Sequence, residues 1–241
     1  MLKKFVLSLV LAPSLFSFLA IAQSKQTPAP ANDSPASAAL ATRPWEFGPF
    51  FQGGVGIGDN RSDFIFTSAG FHLGKVITNQ HLPGLLRGQF EYAGEFMPYW
   101  QSFTPAPHLQ ETKYEFEGQT GTALLPYNGG TFTGLSINPI ILRWDLKPGK
   151  HLAPFLQGGG GLIWTNHKYP PDIIVAKGEP GGTSVWNFTP QFGIGFQYFV
   201  KPRQSLTFGA NAIHISSASL GDRNPGVNAS VQFQLGYTWW R

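Results

Sequence analysis

The sequence predicts an all-β protein: an eight-stranded antiparallel transmembrane β-barrel with short periplasmic turns and longer outer loops. Three observations predict it. Side-chain character alternates with a period of two along most of the chain after residue 44. The connections between alternating segments are short and long by turns. All seven tryptophans stand at or near segment ends.

Composition points the same way. Of 241 residues only 12% are charged, against roughly 25% in an ordinary soluble domain. Yet 42% are hydrophobic and 15% aromatic, too much apolar surface for a disordered chain. The mean hydropathy of −0.09 is too low for a bundle of transmembrane helices. The absence of cysteine excludes a disulfide scaffold, a Cys-ligated zinc site, a thiol nucleophile and a lipid-modified N-terminal Cys.

The elements follow in chain order. Lys3 and Lys4 precede the apolar run Phe5–Ala22, which ends in the small-x-small pattern Ala20-Ile21-Ala22. Residues 1–22 therefore read as a secretory signal peptide. Without Lys3 and Lys4 the chain has 15 basic and 13 acidic residues, so the net charge falls from +4 to +2. No basic cluster is left to suggest nucleic acid. Residues 23–43, rich in Ala, Pro, Ser and Thr, read as a flexible tether, and 44–241 as the barrel. After Ala22 no stretch reaches the ~18–20 apolar residues of a helical span.

The eight ribbons fall at about 45–57, 63–76, 84–100, 131–146, 152–165, 184–199, 205–216 and 228–240. In the third, Leu86, Phe90, Tyr92 and Phe96 share one face, and Arg87, Gln89, Glu91 and Glu95 the other. In the sixth, Trp186, Phe188, Phe192, Ile194, Phe196 and Tyr198 oppose Asn187, Thr189, Gln191 and Gln197. In the last, Val231, Phe233, Leu235, Tyr237 and Trp239 oppose Gln232, Gln234 and Thr238. The connections at 77–83, 147–151 and 200–204 are short; those at 101–130, 166–183 and 217–227 are long. The first, at 58–62, is short and departs from the pattern. Trp100, Trp164 and Trp186 are expected at the outer rim, and Trp45, Trp144, Trp239 and Trp240 at the periplasmic rim. An eight-stranded barrel is filled by its own side chains. Arg87, Glu91, Glu95, Gln191, Gln232 and Gln234 are therefore expected to form a hydrogen-bonded plug, which argues against a general porin.

Of six histidines, His81 and His151 fall in short turns and His108 and His167 in long loops. His72 is expected to face the lumen. His214 closes the seventh ribbon, and parity with Leu206, Phe208, Ala210 and Ala212 turns both His214 and Ser216 outward at its outer edge. Two residues on one strand face have backbones about 6.5–7 Å apart. A base at that spacing can take the proton of a serine hydroxyl. A chance His-x-Ser at a strand end has the same spacing.

The run His214-Ile215-Ser216-Ser217-Ala218-Ser219-Leu220, then Asn224-Pro225-Gly226-Val227-Asn228 and a closing aromatic strand, resembles the outer-membrane lipid A 3-O-deacylases, the PagL-like or acyloxyacyl hydrolase family. The specific match covers about 214–240. The resemblance implies an outer-membrane barrel that removes the 3-O-linked acyl chain of lipid A by serine-ester hydrolysis. It implies Ser216 as nucleophile, His214 as general base and Asn224 as an oxyanion donor, with lipid A or lipopolysaccharide as substrate. It implies no cofactor and no metal. Two positions depart from the family pattern: Ser217 stands where Asn is common, and Asn228 where a Glu orients the histidine. An asparagine can hold the imidazole tautomer without supplying charge, and Asp222 is an alternative orienting acid. Parity with Gln232 and Gln234 turns Asn228 into the lumen, so reaching His214 would take a bulge. A non-catalytic surface-binding barrel and another lipid-modifying enzyme, a phospholipase or acyltransferase, stay open as readings. The sequence does not choose between a monomer and a homodimer.

Overall fold

The computed structural model describes residues 34–58, 61–116, 118–171, 183–218, 220–221 and 228–241. The expected signal peptide, the first part of the tether (23–33), Ser219, Asp222 and Asn224 lie outside the described residues. The elements are a short helix α1 (Pro35–Ala41) and strands β1 (Trp45–Ile57), β2 (Ile65–Val76), β3 (Gly88–Phe103), β4 (His108–Phe116), β5 (Gln119–Tyr127), β6 (Thr131–Leu146), β7 (Leu152–Tyr169), β8 (Ser184–Phe188), β9 (Gln191–Lys201), β10 (Gln204–His214) and β11 (Ala229–Trp240). Antiparallel pairing runs β6-β3-β2-β1-β11-β10-β9-β7, and β7 pairs back onto β6. The ring is therefore a closed eight-stranded barrel with no free edge.

Closure follows from the alternation. Phe51, Phe71, Phe96, Ile140, Phe192 and Phe233 stand exposed around the wall, while Gln52, His72, Glu95, Ser136 and Gln232 point in. An apolar outside on a polar inside is the arrangement of a barrel in lipid. The sixth ribbon breaks at Thr189-Pro190 into β8 and β9, because a proline has no N–H for the ladder. β8 still follows β7, through Leu162↔Phe188 and Trp164↔Trp186.

The lumen has three tiers. At the end opposite the termini, Phe64, Phe66, Trp100, Phe132, Ile163, Tyr169 and Ile215 form an aromatic plug. The middle is polar: Glu46 accepts from Arg143 (2.5 Å) and Gln197 (2.7 Å), Gln157 donates to Asn211 (2.9 Å), and Gln52 donates to Gln232 (3.1 Å). Gly74 makes room for this network; a Cβ there would collide with the Glu91 carboxylate. The third tier closes the terminal end, where Ala36, Ala39 and Leu40 of α1 pack on Val76, Ala153, Phe199 and Trp240.

Several expectations change. Residues 34–43 are not a loose tether: Ser34 caps α1 by accepting from Ser37 N (3.0 Å), and Leu40 O accepts from Gln89 (3.3 Å). Arg87 is not a lumen residue; it is exposed in the turn before β3, which includes the 3-10 turn Gly84–Leu86. Gln191 is only half-buried, and its Nε2 has no hydrogen-bond partner. Trp100 lies inside the barrel because an irregularity between Met97 and Trp100 reverses the parity of β3. Trp240 is also inside, on the same parity as Gln232 and Gln234. The third connection contains the hairpin β4–β5.

Candidate active site

β10 pairs regularly with β11 up to His214↔Ala229, and the chain then leaves the strand. It stays anchored from both sides. His214 N donates to Pro190 O (2.9 Å), in the gap that the proline opens between β8 and β9. Ser216 and Phe188 exchange main-chain hydrogen bonds, 2.9 Å from Ser216 N to Phe188 O and 2.7 Å from Phe188 N to Ser216 O. On the other side Ile215 N donates to Asn228 O (2.9 Å).

This anchoring decides which way the side chains point. Ile215 is buried in the aromatic plug, with Ile213 packed against it. His214 and Ser216, on the opposite parity, share the outward face and are both half-buried. Exposed Phe188, Trp186, Phe192 and Ala212 surround them. The site is thus at the wall's edge, at the end away from the termini.

His214 Nδ1 lies 3.1 Å from the main-chain oxygen of Asn228. A carbonyl only accepts, so Nδ1 carries the proton and donates. In the neutral ring the Nε2 lone pair is then free to act as a base. Ser216 Oγ accepts from Ala218 N (3.2 Å), where Ala218 holds φ at 46°. That bond leaves the serine's own proton available. The two side chains are not hydrogen-bonded to each other in this geometry.

Asn228 does not meet the expectation set for it. Its side chain faces the lumen, 2% exposed, and donates from Nδ2 to Ile215 O (3.4 Å), while Oδ1 has no partner. The side chain cannot orient the imidazole; the main-chain carbonyl contacts it instead. The sequence reading also missed Pro190 and Phe188, whose main-chain groups hold His214 and Ser216. The signal was present, since a proline inside an alternating ribbon marks a break in the ladder.

A second cluster lies in the lumen. Glu46, His72 and Glu91 offer ligand atoms within 4.8 Å of one another and are buried. Arg143 Nη1 stands 2.5 Å from Glu46 and 3.5 Å from Glu91. The guanidinium supplies the positive charge that these carboxylates need, and a metal ion there would be repelled by it. The group is an ion-pair network.

No curated protein sequence matches. Among solved structures, the outer-membrane enzyme PagL aligns at 16% identity over 79% of this chain and 98% of its own, with a TM-score of 0.36. The N-terminal β-barrel domain of Pseudomonas aeruginosa OprF aligns at 12% identity, 82% and 98% coverage and TM-score 0.37. Ail of Yersinia pestis aligns at 11% identity, 82% and 97% coverage and TM-score 0.38. The family model described as lipid A 3-O-deacylase (PagL) matches residues 91–238, from within β3 to near the end of β11, with His214 and Ser216 inside the match. This chain belongs to the lipid A 3-O-deacylase (PagL) family.

Proposed function

We propose that the protein is an outer-membrane serine esterase that removes the 3-O-linked acyl chain of lipid A. Export through the signal peptide at 1–22 belongs to the same proposal. Ser216 Oγ attacks the ester carbonyl, and His214 Nε2 takes its proton. The tetrahedral intermediate collapses, His214 gives the proton to the leaving 3-oxygen of the sugar, and an acyl-serine remains. Water, deprotonated by His214, releases the fatty acid and restores Ser216. Asn224 is the proposed oxyanion donor and Asp222 the alternative orienting acid. The Asn228 carbonyl fixes the tautomer, a role that needs a hydrogen-bond acceptor rather than a charge.

One observation carries this reading. The Nδ1 of His214 is held by a main-chain carbonyl, which leaves Nε2 for the outward face shared with Ser216. That face meets the apolar medium in which an acylated lipid lies.

The test is the mass of lipid A from cells that make the wild type or Ser216→Ala at equal levels in the outer membrane. The wild type should lower lipid A by one 3-O-linked acyl chain, and Ser216→Ala should leave it intact. Unchanged lipid A in both would contradict the proposal and favour a binding barrel. Phospholipid cleavage with intact lipid A would point to a phospholipase instead.

A further inference from the structure

The end of the barrel that holds the termini has four corners, and each carries two cations. Arg43 and Arg241 flank the point where β1 and β11 meet. Lys75 and Arg87 flank the β2–β3 turn, Lys147 and Lys150 occupy the β6–β7 turn, and Lys201 and Arg203 occupy the β9–β10 turn. Lys75 is half-buried and the other seven are exposed. The acids at the strand ends here, Glu46 and Asp145, are turned into the lumen at 0% and 1% exposure. Among the described residues no ion pair reaches any of the eight cations. The opposite end differs: its exposed, described charges are mixed, with Asp63, Glu111, Lys113 and Lys168.

The aromatic neighbours set the height of this ring. Lys75 Nζ lies 5.2 Å over the Trp45 ring, and the Arg241 guanidinium lies 5.8 Å over Phe47. Trp45 and Trp239 face outward beside them. Tryptophans on a barrel wall mark the level where hydrocarbon gives way to headgroups. The cations therefore stand at headgroup depth, just beyond the apolar belt.

The distribution identifies the partner. A globular protein docked against the side wall would meet one or two corners. A lipid leaflet meets all four at once, and an anionic leaflet complements eight cations with no exposed acidic side chain beside them among the described residues. We propose that this ring binds anionic phospholipid headgroups in the leaflet around the terminal end. It thereby anchors the barrel at fixed depth, independently of any esterase activity at the other end. Each cation near an anionic surface favours partitioning by about fivefold, and the attraction falls off within about 10 Å at 0.1 M salt.

The test uses the full chain folded into phosphatidylcholine vesicles that contain brominated phosphatidylcholine or brominated phosphatidylglycerol. Quenching of the native tryptophans gives the relative association of the two lipids. The wild type should prefer phosphatidylglycerol by at least about threefold at low salt, and lose most of that preference near 0.5 M salt. The variant Lys147→Gln/Lys150→Gln/Lys201→Gln/Arg203→Gln should lower the ratio clearly, the remaining part being held by Arg43, Arg241, Lys75 and Arg87. Lys113→Gln/Lys168→Gln, at the opposite end, should keep the wild-type ratio. Equal ratios in the wild type and the ring variant, or no preference in the wild type, would overturn the proposal. If the fourfold variant does not fold, the two turns are neutralised separately, and each should remove part of the preference.

Discussion

His72 lies in the lumen with Nε2 2.5 Å from Glu46 and Nδ1 3.4 Å from Glu95. His214 lies on the outer wall with Nδ1 3.1 Å from one main-chain carbonyl, and no hydrogen bond to Nε2 among the described residues. The same side chain is thus used in opposite ways. In the lumen both ring nitrogens face carboxylate oxygens, which accept and do not donate, so neither keeps a lone pair for chemistry. On the wall one nitrogen is held and the other is free. Burial separates them as well: His72 is 7% exposed within an ion-pair network, while His214 is half-buried beside the apolar medium. Surrounding charge fits a structural histidine here, and a single acceptor with the second nitrogen free fits the proposed base.

Substitutions can break this contrast, beginning with the largest expected effect. Ser216→Ala, or His214→Gln, should lower deacylation of purified lipid A on the order of 10⁴-fold or more, because nucleophile and base act as a unit. The urea midpoint of the folded barrel should not move. Next, Arg143→Met takes the guanidinium away from buried Glu46 and Glu91 and leaves them only His72 as an ion-pair partner among the described residues. It should cost about 3–5 kcal/mol of stability, read by urea unfolding in vesicles, with little change in turnover by the folded fraction. His72→Gln should follow the same pattern at about 1–3 kcal/mol, from a lost charge-assisted hydrogen bond. The identical substitution at the two histidines thus has opposite readouts, and a loss of activity in folded His72→Gln would collapse the comparison. The smallest effect belongs to Asn228→Ala. It removes the Nδ2 bond to Ile215 O but keeps the carbonyl that holds His214. Activity should fall less than about tenfold, against about 10⁴-fold where a side chain alone sets the tautomer. A loss of the larger size would assign the orienting role to the side chain.

The parts of this contrast differ in how visible they were. The outward placement of His214 and Ser216 was legible, because alternation carries parity along β10 and the chain stays in pairing as far as Ser216. The lumen position of Asn228 was legible for the same reason. What replaces its side chain was not: a main-chain carbonyl belongs to every residue, and no residue type announces it. Trp100 was misplaced because alternation holds only between irregularities, and the one between Met97 and Trp100 reverses it. Helix α1 was hidden by composition, although Ser34-Pro35 is a helix start: a cap followed by a proline at the first turn. Its small apolar face, Ala36, Ala39 and Leu40, becomes a core only against the barrel's terminal end. The low charge belongs to the outer wall, whose outward positions such as Phe51, Phe71 and Phe233 are apolar, and part of the glycine to a narrow lumen, where Gly74 and Gly193 leave space for Glu91 and Asn211.

The most direct measurement is covalent labelling of the bilayer-folded protein with a lipid-tailed fluorophosphonate, followed by mass analysis of its peptides. The wild type should carry the adduct on Ser216, and His214→Gln should label at least about a hundredfold more slowly because the base is gone. An unlabelled Ser216 in protein that still deacylates lipid A, or equal labelling with and without His214, would contradict the Ser216–His214 assignment.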